Sequence, residues 1–174
     1  AMRFMGSAQA ISEELNIQGV FTEEIMMRLE ENMSNKDSLI EIVSSTYVDT
    51  DLYLQDDERP IIAKAILAGA WLEGLYIAVN VQTDSSQASL VWEKIGEQKP
   101  ALSNLVKMLE DCKDAQFDSL ISDLNNLERL FDNVQLDYET TIKPSEKSKF
   151  AERLKVDISE ELFKKIQAKT TSIR

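Results

Sequence analysis

Glu73, Tyr76 and Asn80 are the residues of this 174-residue chain best placed to do chemistry. They fall at i, i+3 and i+7, a spacing that lines up one carboxylate, one phenol and one amide along a single helix face. The stretch that carries them, Ile61 to Val81, is apolar nearly all round, with Lys64, Glu73 and Asn80 as its strongly polar side chains. A carboxylate in such a setting must be protonated, paired or turned to a cavity. Two uses follow. The three groups could line a polar pocket for a small ligand, or Glu73 could be a hydrogen-bonded glutamate that fixes the register of packed helices. The second use is the commoner one for a buried acid.

Other residues offer less. The acidic run Asp49, Asp51, Asp56, Asp57 and Glu58 supplies oxygens for a hard cation, but it lacks the Asp-x-Asp-x-Asn/Asp-Gly turn and closing glutamate of a calcium loop. It reads instead as a solvated loop leading into a helix that starts at Pro60. Gly69 and Gly74 have neither phosphate-loop spacing nor a preceding strand, so they are expected to let neighbouring helices approach. Cys112, the lone cysteine, shares an apolar helix side with Leu105 and Leu109 and reads as packing; no internal disulfide can form. Trp71 and Trp92 read as core. The chain has no histidine, which removes the commonest general base, the Ser-His-Asp and Cys-His arrangements and the usual zinc ligand sets. No catalytic residue, metal ligand or cofactor is assigned, and an enzyme would have to work with carboxylates alone or a metal–carboxylate site.

Thirty-one acids against nineteen bases give a net charge of −12, the wrong sign for neutralising phosphates, so nucleic acid is not expected as a partner. With 43% apolar and 29% charged residues the chain has the composition of a folded domain, and its length fits one domain spanning 1–174. Ala1-Met2 resembles a tag remnant ahead of a start, so the natural N-terminus is taken as open to extension upstream.

Five glycines, three prolines and apolar residues every three or four positions make the pattern helical almost throughout. A first segment, Arg3 to Leu15, places Phe4, Ala8, Ile11 and Leu15 on one face. A second runs from a Thr22 cap through Ile25, Met26, Leu29 and Met33, and a third starts after Asn35 and fades across Asp49 to Glu58. Ile61 to Val81 is the expected buried central helix, near 60–82. It has the length of a membrane span, but a lysine and a glutamate inside it would cost roughly 2.5–3.5 kcal/mol each at mid-bilayer, so no transmembrane span is expected. Breaks are expected near Asp84-Ser85, Lys99-Pro100, Asp114 and Tyr138 to Ser148. Phe117, Leu120, Leu124, Leu127, Phe131 and Val134 form a heptad-like seam. A capping box over Asp157 to Glu160 opens the last helix, which gathers lysines toward its end. The expectation is an all-α, antiparallel bundle of about seven helices.

Gly69-Ala70-Trp71-Leu72-Glu73-Gly74-Leu75-Tyr76-Ile77-Ala78 resembles a segment of uncharacterised helical proteins of Bacteroidetes. Glu14-Leu15-Asn16-Ile17 followed by Phe21, the helix start Asn35-Lys36-Asp37-Ser38-Leu39, and Ile158-Ser159-Glu160-Glu161-Leu162-Phe163 are similar too. The resemblance covers most of the chain. It implies an all-helical protein without an assigned activity, exported and lipid-anchored in the periplasm or cell envelope; a start at Met2 would imply the cytoplasm. No site residues carry over. The function expected from these observations is a non-enzymatic helical-bundle protein acting through contacts with a protein partner or with further copies of itself. The alternative is a small-molecule binding or sensory module around Glu73, Tyr76 and Asn80.

Overall fold

The computed structural model describes residues 2–17, 19, 22–56, 59–82, 85–141 and 151–174. The chain is all-α in character, with eight α-helices and one two-stranded antiparallel sheet among the described residues. Its contacts gather in two compact units, residues 1–66 and 67–174, whose boundary falls inside a helix.

The first unit holds α1 (Met2–Glu14), α2 (Glu23–Glu31), α3 (Lys36–Asp56) and the first residues of α4 (Pro60–Asn80). Asn16 ends α1 by adopting a left-handed conformation (φ 53°), which Asn tolerates better than most residues. The Ile17 amide then donates back to the Ser12 carbonyl at 2.8 Å, and Ile17 is buried. Arg59 donates to the carbonyls of Leu15 and Asn16, placing a cation on the negative end of α1. The inward side of α1 differs from the expected one: Ser12 is buried and Ile11 is exposed. Phe4 lies outside the side chains described.

The Thr22 hydroxyl accepts from the Ile25 amide at 3.3 Å, and the Asn35 side chain accepts from the Ser38 amide at 3.2 Å, so the starts of α2 and α3 follow their polar cap residues. The expected loop from Asp49 is instead helix as far as Asp56. Buried Thr50 and Leu54 continue the i, i+4 stripe begun by Ile42 and Thr46, and Gln55 donates to Asp51 one turn back at 2.6 Å. Asp57 and Glu58 lie outside the described residues. The described core of this unit is thin: Ile17, Ile42 and Leu54 with Ser12, Thr46 and Thr50.

The second unit continues α4 and adds α5 (Ser85–Gly96), α6 (Lys99–Glu110), a 3-10 turn (Ala115–Phe117), α7 (Asp118–Phe131), β1 (Gln135–Thr141), β2 (Ala151–Asp157) and α8 (Glu160–Ile173). The Phe117 to Val134 seam is intrachain packing: Phe117, Leu124, Leu127, Phe131 and Val134 are all buried, and both α6 and α8 pack against α7. Ser103 meets Glu128 while Lys99 reaches Asp132 and Val134, so α6 and α7 run antiparallel. Cys112 lies half-buried against this core, its thiol donating to the Met108 carbonyl at 3.2 Å. Trp92 stacks on Phe163 with centroids 5.0 Å apart.

The hairpin departs from the all-helical pattern expected. Leu136 pairs with Val156 and Tyr138 with Leu154 in an antiparallel ladder, with Val156 half-buried and Ile158, just after β2, buried two residues on, as a strand with one inward face requires. Residues 142–150, which include Pro144, lie outside the description. Because Asp157 closes β2, the cap of α8 sits two residues later than the capping box predicted: the Ser159 hydroxyl accepts from the Leu162 amide at 3.2 Å.

The expectation of a helix buried all round also needs correcting. In α4 only Ala68, Leu75 and Val79 are buried, while Ile61, Leu67 and Ile77 are exposed, the last at 58%. A Cβ built on Gly69 or Gly74 would meet nothing within 4 Å, so neither glycine serves a close approach. The close approach is at Gly96, where a Cβ would run into Val156 Cγ1 and lie 3.1 Å from both Ile158 Cδ1 and Val134 Cγ1. Gly96 lets the end of α5 rest on β2.

Candidate functional site

Glu73, Tyr76 and Asn80 do lie along one face of α4, and α8 supplies their partners. Arg174 grips Glu73 with two hydrogen bonds, Nε to Oε2 at 2.6 Å and Nη2 to Oε1 at 3.2 Å, in the fork geometry that suits a carboxylate. The same guanidinium sits 4.2 Å from the centroid of the Tyr76 ring. The hydrogen bond to Glu73 holds the Arg174 guanidinium protonated above its ordinary range. Gln167 Nε2 donates to the Val79 carbonyl at 2.6 Å and reaches Asn80 Oδ1 at 3.4 Å, while Asn80 Nδ2 donates to the Tyr76 carbonyl at 2.9 Å.

Glu73 is therefore paired, one of the three outcomes open to it. It is not deeply buried: its side chain keeps 44% exposure, and so does that of Arg174. Arg174 and Gln167 occupy the face that a ligand would use, and the three residues act as a tie between α4 and α8. Arg174 is 101 residues away from Glu73 in the chain, so no local pattern pointed to it.

Two concavities lie elsewhere, each within one unit. The wider, about 410 Å³, is bordered by the end of α7, the foot of the hairpin and the first turns of α8, with Gln135, Asp157, Ser159, Glu161 and Lys165 on its walls. Two of its charged walls pair with each other: Lys165 Nζ is 2.6 Å from Glu161 Oε1, a hydrogen bond that lowers the Glu161 carboxyl below its ordinary range.

The other concavity, about 230 Å³, opens between α2 and α3 in the first unit. Ile25 and Leu29 wall one side, Val43 and Tyr47 the other, with Thr46, Thr50 and Ile66 completing it. The Thr46 hydroxyl donates to the Ile42 carbonyl at 2.8 Å and the Thr50 hydroxyl to the Thr46 carbonyl at 2.6 Å, so neither donor is free for a ligand. Tyr47 stays partly exposed, and the partial burial of its ring pushes the phenol up from its ordinary range. Sequence reasoning did not single out this groove. Its signal was the i, i+4 repeat Ile42, Thr46, Thr50, Leu54, in which threonines occupy an inward stripe.

Among the described residues no three Asp, Glu or Cys side chains converge where they could hold a metal ion. α4 is the one described helix long and apolar enough to cross a membrane by length and composition, and its Glu73 is tied to α8 as above.

No protein-family model, no curated protein and no solved structure matches the chain. The arrangement of its own side chains therefore carries the functional argument.

Proposed function

We propose that this chain is a non-enzymatic helical protein that acts through protein contacts. The observation that supports this reading is the uneven placement of apolar surface. Of the fourteen large apolar side chains left exposed among the described residues, ten lie in residues 1–66, where only three hydrophobic side chains are buried. Isolated exposed apolar residues are ordinary. Ile40, Val43 and Tyr47 recur at i, i+3 and i+7 on one face of α3, beside the groove, and a grouped face of this kind marks contact surfaces. In this reading α4 is a helix of the folded chain rather than a membrane span, because Ala68, Leu75 and Val79 face a protein core and Glu73 is paired. The cell-envelope setting rests on the family resemblance.

Site-specific photo-crosslinking in the source cells tests the contact reading. A benzophenone side chain at Val48 or Ile77, both exposed and apolar, is expected to give discrete protein adducts, and the same probe at exposed polar Ser172 is not. Equal or absent adducts at all three positions would reject protein contact as the function. Mass spectrometry of the natural N-terminus tests the setting: a lipid-modified cysteine upstream supports the envelope, and an unprocessed Met2 in the cytosol rejects it.

A further inference from the structure

We infer that the groove between α2 and α3 receives a basic amphipathic helix of a partner protein. This rests on the protein-contact reading and names the chemistry of the partner.

Charge selects the occupant. Residues 1–66 carry thirteen acids and five bases, a net −8, whereas the larger remainder of the chain carries only −4. The two helices that wall the groove display eight exposed carboxylates against two bases, Arg28 and Lys36. An apolar trough between two helices that carry this excess of carboxylates attracts a helix that has one apolar and one cationic face. A second copy of this chain would bring the same −8 to the interface. An anionic bilayer would be repelled for the same reason.

Size and shape agree. At about 230 Å³ the groove falls below the roughly 300–1,000 Å³ that enclose a free small-molecule ligand, and it suits the anchor side chains of a helix. Its polar atoms ask for little, because the Thr46 and Thr50 hydroxyls already donate to their own helix. Beyond it, exposed Ile40 extends the Val43 and Tyr47 face by one turn, which gives an incoming helix a second contact at helical spacing.

The test uses the full chain and a fluorescent synthetic helix of about 18 residues built from Leu and Lys in an amphipathic order. Fluorescence anisotropy is expected to show saturable binding that weakens about ten-fold on Val43→Asp or Tyr47→Asp, the loss typical of a contact residue that matters. The double substitution Glu30→Lys, Glu41→Lys touches only exposed positions and is expected to weaken binding several-fold without affecting the fold. An amphipathic helix of Leu and Glu is expected not to bind. The inference is overturned if a scrambled Leu/Lys peptide binds equally, if the Val43 and Tyr47 variants bind as the parent does, if anionic vesicles bind in preference to the peptide, or if the chain dimerises through a face that Val43→Asp abolishes. Adducts at Ile77 with no peptide binding would remove the groove and leave the contact reading standing; absence of both would remove both.

Discussion

Replacing Gly96 with alanine is expected to destabilise residues 67–174, although the same change in a helix usually helps. The new methyl would run into Val156 Cγ1 and lie 3.1 Å from Ile158 Cδ1 and Val134 Cγ1. All three neighbours are β-branched, and the Cγ1 atoms of Val134 and Val156 can move only by turning a stiff χ1 or shifting backbone; Val134 and Ile158 are also buried. Overpacking of this kind costs about 1–3 kcal/mol. Against it stands a gain of at most about 1 kcal/mol for Ala over Gly in a helix, and less here because Gly96 is the last residue of α5. The net loss is about 1–2 kcal/mol, each kcal/mol lowering the melting temperature by about 2–4 °C in a chain of this length.

Urea unfolding followed by tryptophan fluorescence reads the effect, since Trp71 and Trp92 both lie in the second unit. Val156→Ala alone should also destabilise, by leaving space. The double variant should recover part of the loss, with a coupling of at least about 0.5 kcal/mol of the sign that marks a relieved clash. Gly69→Ala and Gly74→Ala, which meet open space, should each stabilise by up to about 1 kcal/mol. A Gly96→Ala midpoint at or above that of the parent, or strict additivity with Val156→Ala, would refute the claim that a single missing methyl lets α5 rest on β2.

Three further outcomes follow from the polar groups. Thr170 is completely buried and its hydroxyl has no hydrogen-bond partner, so Thr170→Val should stabilise by about 1–2 kcal/mol in chemical denaturation; Thr50→Val, whose hydroxyl is already bonded, should fall within about 0.5 kcal/mol of the parent. Glu73→Gln should lower the melting temperature slightly at low salt, and the difference should close at about 1 M salt, where an ion pair this exposed is screened; an equal loss in both conditions would assign Glu73 to packing instead. Hydrogen bonds from Lys164 and Lys165 lower the Glu160 and Glu161 carboxyls in the folded state, so their stabilisation is full above the unfolded carboxylate range and disappears as pH falls through the lower folded values. The melting-temperature gap between the parent and a Glu160→Gln, Glu161→Gln variant should therefore be present near pH 7 and vanish by about pH 2, and a gap that persists there would contradict the assignment.

Where a structural cause was local, the sequence displayed it. Thr22 and Asn35 cap because a short polar side chain before an apolar repeat can satisfy the first free amides, and the Phe117 to Val134 seam packs because its spacing matches a helix face. Where the cause was distant, nothing local could reveal it. Glu73 advertised its need for a partner, but Arg174 answers from the far end of the chain. The hairpin falls between these cases. Leu154, Val156 and Ile158 alternate, yet the run is short and follows a polar stretch with no strand signal, so the helical periodicity on either side outweighed it.

The groove was hidden by averaging. A net charge of −12 spread over 174 residues looks like ordinary solubility, and 43% apolar content looks like an ordinary core. Divided at the contact boundary, the same totals separate: among the described residues fifteen of the eighteen buried hydrophobic side chains fall in 67–174 and most of the exposed apolar ones in 1–66, while two-thirds of the net charge falls in 1–66. A segment whose described residues bury so little apolar area, and which repels itself electrostatically, gains little stability from that described core. Anything that fills its groove and offsets its negative charge then stabilises it by mass action, and does so more for residues 1–66 than for the unit that is already well packed. Hydrogen exchange measured with and without the Leu/Lys helix should show added protection concentrated in α2 and α3. Protection spread evenly over both units would mean that the peptide coats an acidic surface rather than filling a site.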